Sequence, residues 1–284
     1  MFYQMLFDPE KNKDLTKLGN EPDVIWIKNL ERGNHMMVTK NSNYHNVLNF
    51  NNQKPYSEND TGILRNEYEP SSDKSIITCF SCAEKYFDCY TYSGENFRSK
   101  SIPHRLKREP SLLMVKNTSQ ETDWIVWHRS FGIHGYMSLN SDEPLQIGKR
   151  MFADSRQNNK ALVVGRLPET NMEGSDFLAL LFTDGENFFS GSYEGGNAKT
   201  ITTRNRPDLL VIKRKDKSGT WRIFSSLFGP GDSLRMNSHG PMLRNDDLLR
   251  VDITETGFEI PFESPALNES GGEYFWFAFA ASDH

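Results

Sequence analysis

Pro110-Ser111-Leu112-Leu113-Met114-Val115-Lys116 is apolar at four successive positions and is bounded by a proline and a lysine. Proline fixes φ and lacks an N–H, so it suits the first residue of a strand. A run that is apolar at every position, rather than at alternate ones, implies burial on both faces of a sheet. Its shortness and polar flanks argue against a helix. The same arrangement stands at Pro22-Asp23-Val24-Ile25-Trp26-Ile27-Lys28 and at Pro207-Asp208-Leu209-Leu210-Val211-Ile212-Lys213, and the step from Pro to Lys is identical in all three.

Further markers keep register with these runs. Trp221 stands as far beyond Lys213 as Trp124 stands beyond Lys116; in the first copy that offset lands on Met36. An apolar-x-apolar-Asn signature follows as Leu48-Asn49-Phe50-Asn51, Met137-Ser138-Leu139-Asn140 and Leu234-Arg235-Met236-Asn237. Each copy closes on a second apolar run, at Ile76 to Phe80, Phe177 to Phe182 and Tyr274 to Phe279. Phe182 and Phe279 stand equally far beyond Pro110 and Pro207, whereas Phe80 stands closer to Pro22, so the first copy is the shortened one. Tyr92-Ser93-Gly94-Glu95-Asn96 resembles Tyr193-Glu194-Gly195-Gly196-Asn197 between the copies.

These offsets predict an all-β chain of three tandem β-sandwich repeats, jelly-roll or lectin-like, over residues 1–86 (shortened), 87–187 and 188–284. Met1 to Phe7 reads as a first strand rather than a signal peptide. Segments 141–172 and 238–270 are richer in Pro, Asn, Asp and Gly and are expected to hold the longest loops. The tandem layout allows either a row of domains or a compact pseudo-threefold cluster, with the units packed on one another.

Composition narrows the function classes. The 284 residues carry a formal net charge of −5, which leaves no electrostatic footprint for nucleic-acid binding. No stretch reaches the ~20 apolar residues of a membrane helix, so membrane insertion is not expected. Cys79, Cys82 and Cys89 do not read as a secreted disulfide framework. Their CxxC spacing lies at the end of an apolar strand, which favours buried free thiols over a zinc site.

No catalytic, cofactor-binding or metal-binding residue is assigned, and the chain is read as a non-enzyme. His128 with nearby serines lacks a nucleophile elbow, and Gly191-Ser192-Tyr193-Glu194-Gly195 does not supply one. The acidic pairs Asp142-Glu143 and Asp246-Asp247 have no counterparts at matching offsets, so they read as solvated loop charge. Lys28, Lys116 and Lys213 read as structural, with stems along a sandwich rim. Trp26, Trp124, Trp127, Trp221 and Trp276 read as core, and Phe152 as an exposed loop aromatic available to a sugar ring.

The order of these motifs resembles a repeated β domain of unassigned function found in structural proteins of tailed phages, notably phages of cyanobacteria and other marine bacteria. The second copy carries the likeness best, through Tyr92-Ser93-Gly94-Glu95-Asn96, Ile102-Pro103-His104-Arg105-Leu106, Pro110 to Lys116, Trp124 to His128 and Leu139-Asn140. Leu18 to Lys28 carries it in the first copy, and Pro207 to Lys213 with Trp221 and Met236-Asn237 in the third, which lacks the Ile-Pro-His step. The resemblance implies a virion structural protein, made in the host cytoplasm and associated with the tail or a tail fibre. Its expected partners are other virion proteins, further copies of itself and a host-surface glycan. The alternatives are a capsid decoration protein and a carbohydrate-binding module.

Overall fold

The computed structural model describes residues 2–8, 22–31, 33, 35–58, 74–148, 151–152 and 159–281. Leu18 to Glu21, part of the first copy's resemblance, lie outside them. The chain is all-β, with 45% of the described residues in strands and 4% in short helical turns, and the strands pair antiparallel.

The first sheet is built from β1 (Phe2–Phe7), β2 (Val24–Asn29), β3 (His35–Thr39), β4 (Asn46–Asn49), β5 (Ser57–Glu58) and β6 (Ser75–Phe80), in the order β1-β6-β2-β3-β4-β5. Then come β7 (Phe87–Ser93), β8 (Ser99–Pro103), β9 (Leu112–Asn117), β10 (Ile125–His128), β11 (Gly135–Ser138), β12 (Gln146–Ile147), β13 (Ala161–Gly165) and β14 (Asp176–Phe182). They form a large sheet, β12-β11-β10-β9-β14-β7, and a small one, β13-β8. The last are β15 (Phe188–Glu194), β16 (Lys199–Thr202), β17 (Leu209–Arg214), β18 (Arg222–Ser225), β19 (Leu234–Arg235), β20 (Asp252–Thr254), β21 (Gly257–Ile260) and β22 (Glu273–Phe279). Their sheets are β15-β22-β17-β18-β19 and β16-β21-β20.

The three large sheets share one internal order. The first strand pairs with the last, the last with the proline-led run, and the next two strands follow as a meander. The proline-led runs are apolar throughout because each lies between two cores. Leu112 and Met114 face one cluster while Leu113 and Val115 face another, and β17 and β22 divide in the same way.

One of those cores is common to all three sheets. Phe80, Phe182 and Phe279 end the last strand of each, and their ring centroids lie 5.1–5.9 Å apart at the centre of the molecule. The first strands add Phe2, Phe87 and Phe188. Each touches its own sheet's closing phenylalanine and that of the preceding sheet: Phe87 lies 4.8 Å from Phe182 and 5.6 Å from Phe80, and Phe188 lies 5.3 Å from Phe279 and 5.2 Å from Phe182. Phe2 closes the ring, 5.5 Å from Phe80 and 5.4 Å from Phe279. The sheets are therefore gathered around an approximate threefold axis rather than strung in a row.

The outer faces differ. In the second and third parts the small sheets cover separate cores, one including Ile102, Leu162, Val164 and Phe177, the other Leu210, Phe258, Ile260 and Tyr274. These small sheets come partly from segments 141–172 and 238–270, where loops were expected. Strands β13, β20 and β21 are short and lie amid loop-forming residues, and β13 and β21 find partners distant in sequence. The first sheet's outer face carries Phe7, Ile25, Ile27, Val38, Val47, Ile77 and Cys79, and no second sheet pairs over it among the described residues.

Candidate functional site

The three proline-led lysines lie at the joints between sheets, and Lys28, Lys116 and Lys213 are all fully buried. This corrects the expectation of stems along a rim. A buried ammonium is costly unless its protons are met. Here each is met by a backbone carbonyl of the preceding sheet's meander. Lys116 Nζ donates to Gln53 O at 2.8 Å, Lys213 Nζ to Asp142 O at 3.0 Å, and Lys28 Nζ to Gly240 O at 3.2 Å. Lys116 also donates to Thr122 O at 2.8 Å, Lys28 to Gly33 O at 2.9 Å, and Lys213 lies 6.0 Å over the Trp221 ring. Burial is the main reason that all three titrate low, at about 8.

The acceptors follow from the apolar-x-apolar-Asn signature. Gln53, Asp142 and Gly240 lie two, two and three residues beyond Asn51, Asn140 and Asn237. The Asn51 and Asn140 side chains accept from the backbone N–H of His35 and Trp124, at 3.2 and 2.8 Å, which pins these loops.

Ring donors complete each joint. Trp124 Nε1 donates to Asn49 O at 2.9 Å, and Trp221 Nε1 to Ser138 O at 3.0 Å. In the first sheet this role falls to His35, whose Nε2 lies 2.7 Å from Arg235 O. The sequence offset pointed to Met36 instead. His35 stands opposite Lys28 in the strand register, one residue closer along the chain than Trp124 is to Lys116 or Trp221 to Lys213. Backbone bonds repeat the same step, from Tyr56 N to Thr118 O, Leu145 N to Lys215 O and Met242 N to Leu30 O, at 3.0, 2.9 and 2.7 Å.

The remaining sequence candidates fall into place individually. Phe152 is buried against Trp127 at 5.7 Å, which removes it as an exposed sugar platform; its backbone bridges to Val164 and draws the ring inward. Cys79 and Cys89 are buried and Cys82 half-buried, all free thiols. Burial pushes Cys79 and Cys82 up to about 12 and Cys89 well above its ordinary value. No group of three potential ligands that could hold a metal ion occurs among the described residues. The Asp142 side chain accepts from Asn237 at 2.6 Å, and Asp246 caps a short 3-10 turn through Leu248 N at 3.0 Å. Gly191 to Glu194 lie inside β15, so that stretch forms no elbow.

His128 belongs to a polar network between the second and third sheets. Its Nδ1 lies 2.7 Å from Ser130 Oγ and its Nε2 lies 3.0 Å from Ser190 Oγ. Ser190 donates to Asp184 Oδ1 at 2.7 Å, and Arg129 pairs with Asp184 Oδ2. Because the Ser190 proton goes to Asp184, the hydroxyl accepts from His128 and its proton is not offered to the ring. In a nucleophilic triad the histidine stands between serine and acid; here the serine does. Burial, with Arg129 and Lys215 nearby, lowers His128 to about 3, so it is neutral near pH 7. The partners Ser190 and Asp184 left no motif in the sequence, since one comes from a strand and the other from a loop.

A cleft of about 530 Å³ opens beside this network, lined by Arg108, Asp184, Ser190, Thr203, Arg204 and Trp276 among others. A cleft of about 480 Å³ occupies the corresponding place between the first and second sheets, lined by Cys82, Glu84, Asp88, Arg105 and Lys107 among others.

The model of a family described as a domain of unknown function (DUF7483) matches residues 70–283, well over half of the chain. The chain belongs to the DUF7483 family. The matched part runs from the last strand of the first sheet through both complete sandwiches, so it holds the whole Trp221 joint and the Trp124 donor, but neither the Asn49 acceptor of Trp124 nor His35. No curated protein and no solved structure matches the chain.

Proposed function

We propose that the chain is a structural component of a tailed-phage particle, associated with the tail or its fibres. The observation that supports this reading most is where the recurring residues go. The proline-led lysines, the ring donors and the signature asparagines meet one another at the joints between sheets. A chain whose repeated residues serve cohesion suits a load-bearing part better than a catalyst. The resemblance of the motif order to a repeated β domain of phage structural proteins points the same way. Other virion proteins and a host-surface glycan are the partners this reading implies.

The test is to locate the chain in purified particles by labelled-antibody electron microscopy and to count it by quantitative mass spectrometry. Tens of copies or fewer, confined to the tail, are the expected result. Hundreds of copies over the head would move it to capsid decoration. Absence from the particle would overturn the virion reading.

A further inference from the structure

We propose that the cleft between the second and third sheets binds an oxyanion, a carboxylate or phosphate group carried by a larger ligand. This rests on the two corresponding clefts and is independent of where the protein sits in a particle.

Both clefts share three parts, and Arg108 and Trp276 line only the one between the second and third sheets. Each has the segment just after a closing phenylalanine, the start of the following first strand, and the residues that leave the second strand. Each has a cavity in the range of small-ligand sites. Their charges differ. Between the first and second sheets Arg105 and Lys107 are matched within the protein. Arg105 clasps the buried Asp88 through Nη2 at 2.6 Å and Nε at 3.1 Å, and Lys107 pairs with Glu84 at 2.6 Å.

Between the second and third sheets Arg108 and Arg204 are not. The acid lining that cleft, Asp184, is already taken by Arg129 and Ser190. Arg204 makes no hydrogen bond or ion pair with any described residue, and Arg108 reaches only the Asp184 carbonyl at 3.5 Å. The position of Asp88 is held by Phe189, each following the first phenylalanine of its strand. Two guanidinium groups therefore share one cleft without a carboxylate of their own, in a chain whose net charge is −5.

A lone exposed arginine is satisfied by water and implies no ligand. The other cleft serves as the control: there Arg105 and Lys107 each have a carboxylate, whereas here the one lining acid is held by Arg129 and Ser190 and leaves Arg108 and Arg204 without one. Guanidinium groups present planar forks that suit carboxylate and phosphate oxygens. The floor is fixed in advance, since Ser190 and Asp184 are locked to His128 and Arg129. The Trp276 indole forms part of the wall and lies close over Gly191, where a Cβ would come within 3.0 Å of the ring. Glycine at that position keeps the ring in place.

The experiment follows the tryptophan indole resonances of the full chain by NMR, with the Trp276 signal assigned through W276F. Inorganic phosphate and a short uronate oligosaccharide are titrated separately at constant ionic strength, with a neutral oligosaccharide as reference. The expected result is a saturable shift of the Trp276 signal with at least one anion. A response to phosphate alone identifies a phosphate-bearing ligand, and a response to the uronate alone a carboxylated one. The dissociation constant should rise at least about tenfold in R108Q/R204Q and stay unchanged in R105Q. Both arginines are exposed, so the double variant should melt like the parent. No saturable shift with either anion, or equal binding by R108Q/R204Q, would overturn the proposal.

Discussion

The joint between the first and third sheets and the joint between the third and second perform the same task with different rings. Trp221 gives its indole N–H to Ser138 O, whereas His35 gives an imidazole N–H to Arg235 O. The smaller ring leaves space, and Trp26 on the neighbouring strand fills it, stacked on His35 at 5.6 Å. The residues that correspond to Trp26 four places after their prolines are Met114 and Val211. Bulk has moved from one strand to the next while the inter-sheet hydrogen bond has stayed. The exchange also has an electrostatic consequence, because imidazole titrates and indole does not. Burial first, and the Lys28 ammonium second, hold His35 down at about 3.

The largest effect should come from deleting a ring at a tryptophan joint. Trp221→Ala removes a fully buried side chain and its bond to Ser138, and should cost about 3–5 kcal/mol in chemical denaturation at neutral pH. His35→Ala should cost less, since Trp26 remains in place. Equal losses would show that the hydrogen bond, and not the ring's volume, dominates the comparison.

Next come the lysines. Lys116→Met keeps most of the stem but leaves the Gln53 and Thr122 carbonyls without their donor, and should cost about 1–3 kcal/mol at neutral pH. Its pH dependence has a definite sign. In the folded chain the three lysines release their protons near 8, against 10.5 when unfolded. The unfolded chain holds more protons between those values, so their contribution to stability is full above 10.5 and is lost as pH falls through 8. Stability should rise from pH 8 towards 10, and less steeply in Lys116→Met. Equal slopes in the two proteins would contradict a shifted Lys116.

The acid limb separates the joints most directly. Histidine titrates near 6.5 when unfolded and His35 near 3 when folded. The unfolded state therefore gains protons first as pH falls, and this share of the stability, complete above 6.5, is lost on the way to 3. His35→Trp should remove a slope of at most about 1.4 kcal/mol per pH unit between pH 6 and 4.5, seen in denaturation midpoints. An unchanged slope would remove the distinction between the joints. The smallest effect belongs to the half-exposed Arg244–Glu31 pair at the same joint. Arg244→Gln should cost less than about 1 kcal/mol, and little at high salt.

Much of the first-level structure was legible because it depends on neighbours in sequence. The proline-led runs became β2, β9 and β17, and the closing apolar runs became β6, β14 and β22. The small sheets were not legible. Strands such as β16 and β21 are short and pair across a long separation. At the candidate site, His128 was noticed for its residue type, but Ser190, Asp184 and the unmatched Arg108 and Arg204 carry no local signature.

The sequence by itself determined the proline-led and closing strands, their shared order of motifs and the presence of a lysine at the end of each proline-led run. Only the tertiary structure decided what those lysines do. Besides local carbonyls at Thr122 and Gly33, each lysine has an acceptor on another sheet, 63, 71 and 212 residues away for Lys116, Lys213 and Lys28. A lysine in a sequence reads as solvated because water is its default partner. Here the closed ring of three sheets excludes water and puts carbonyl oxygens in its place, and the pattern of residues along the chain does not report that exchange of partners.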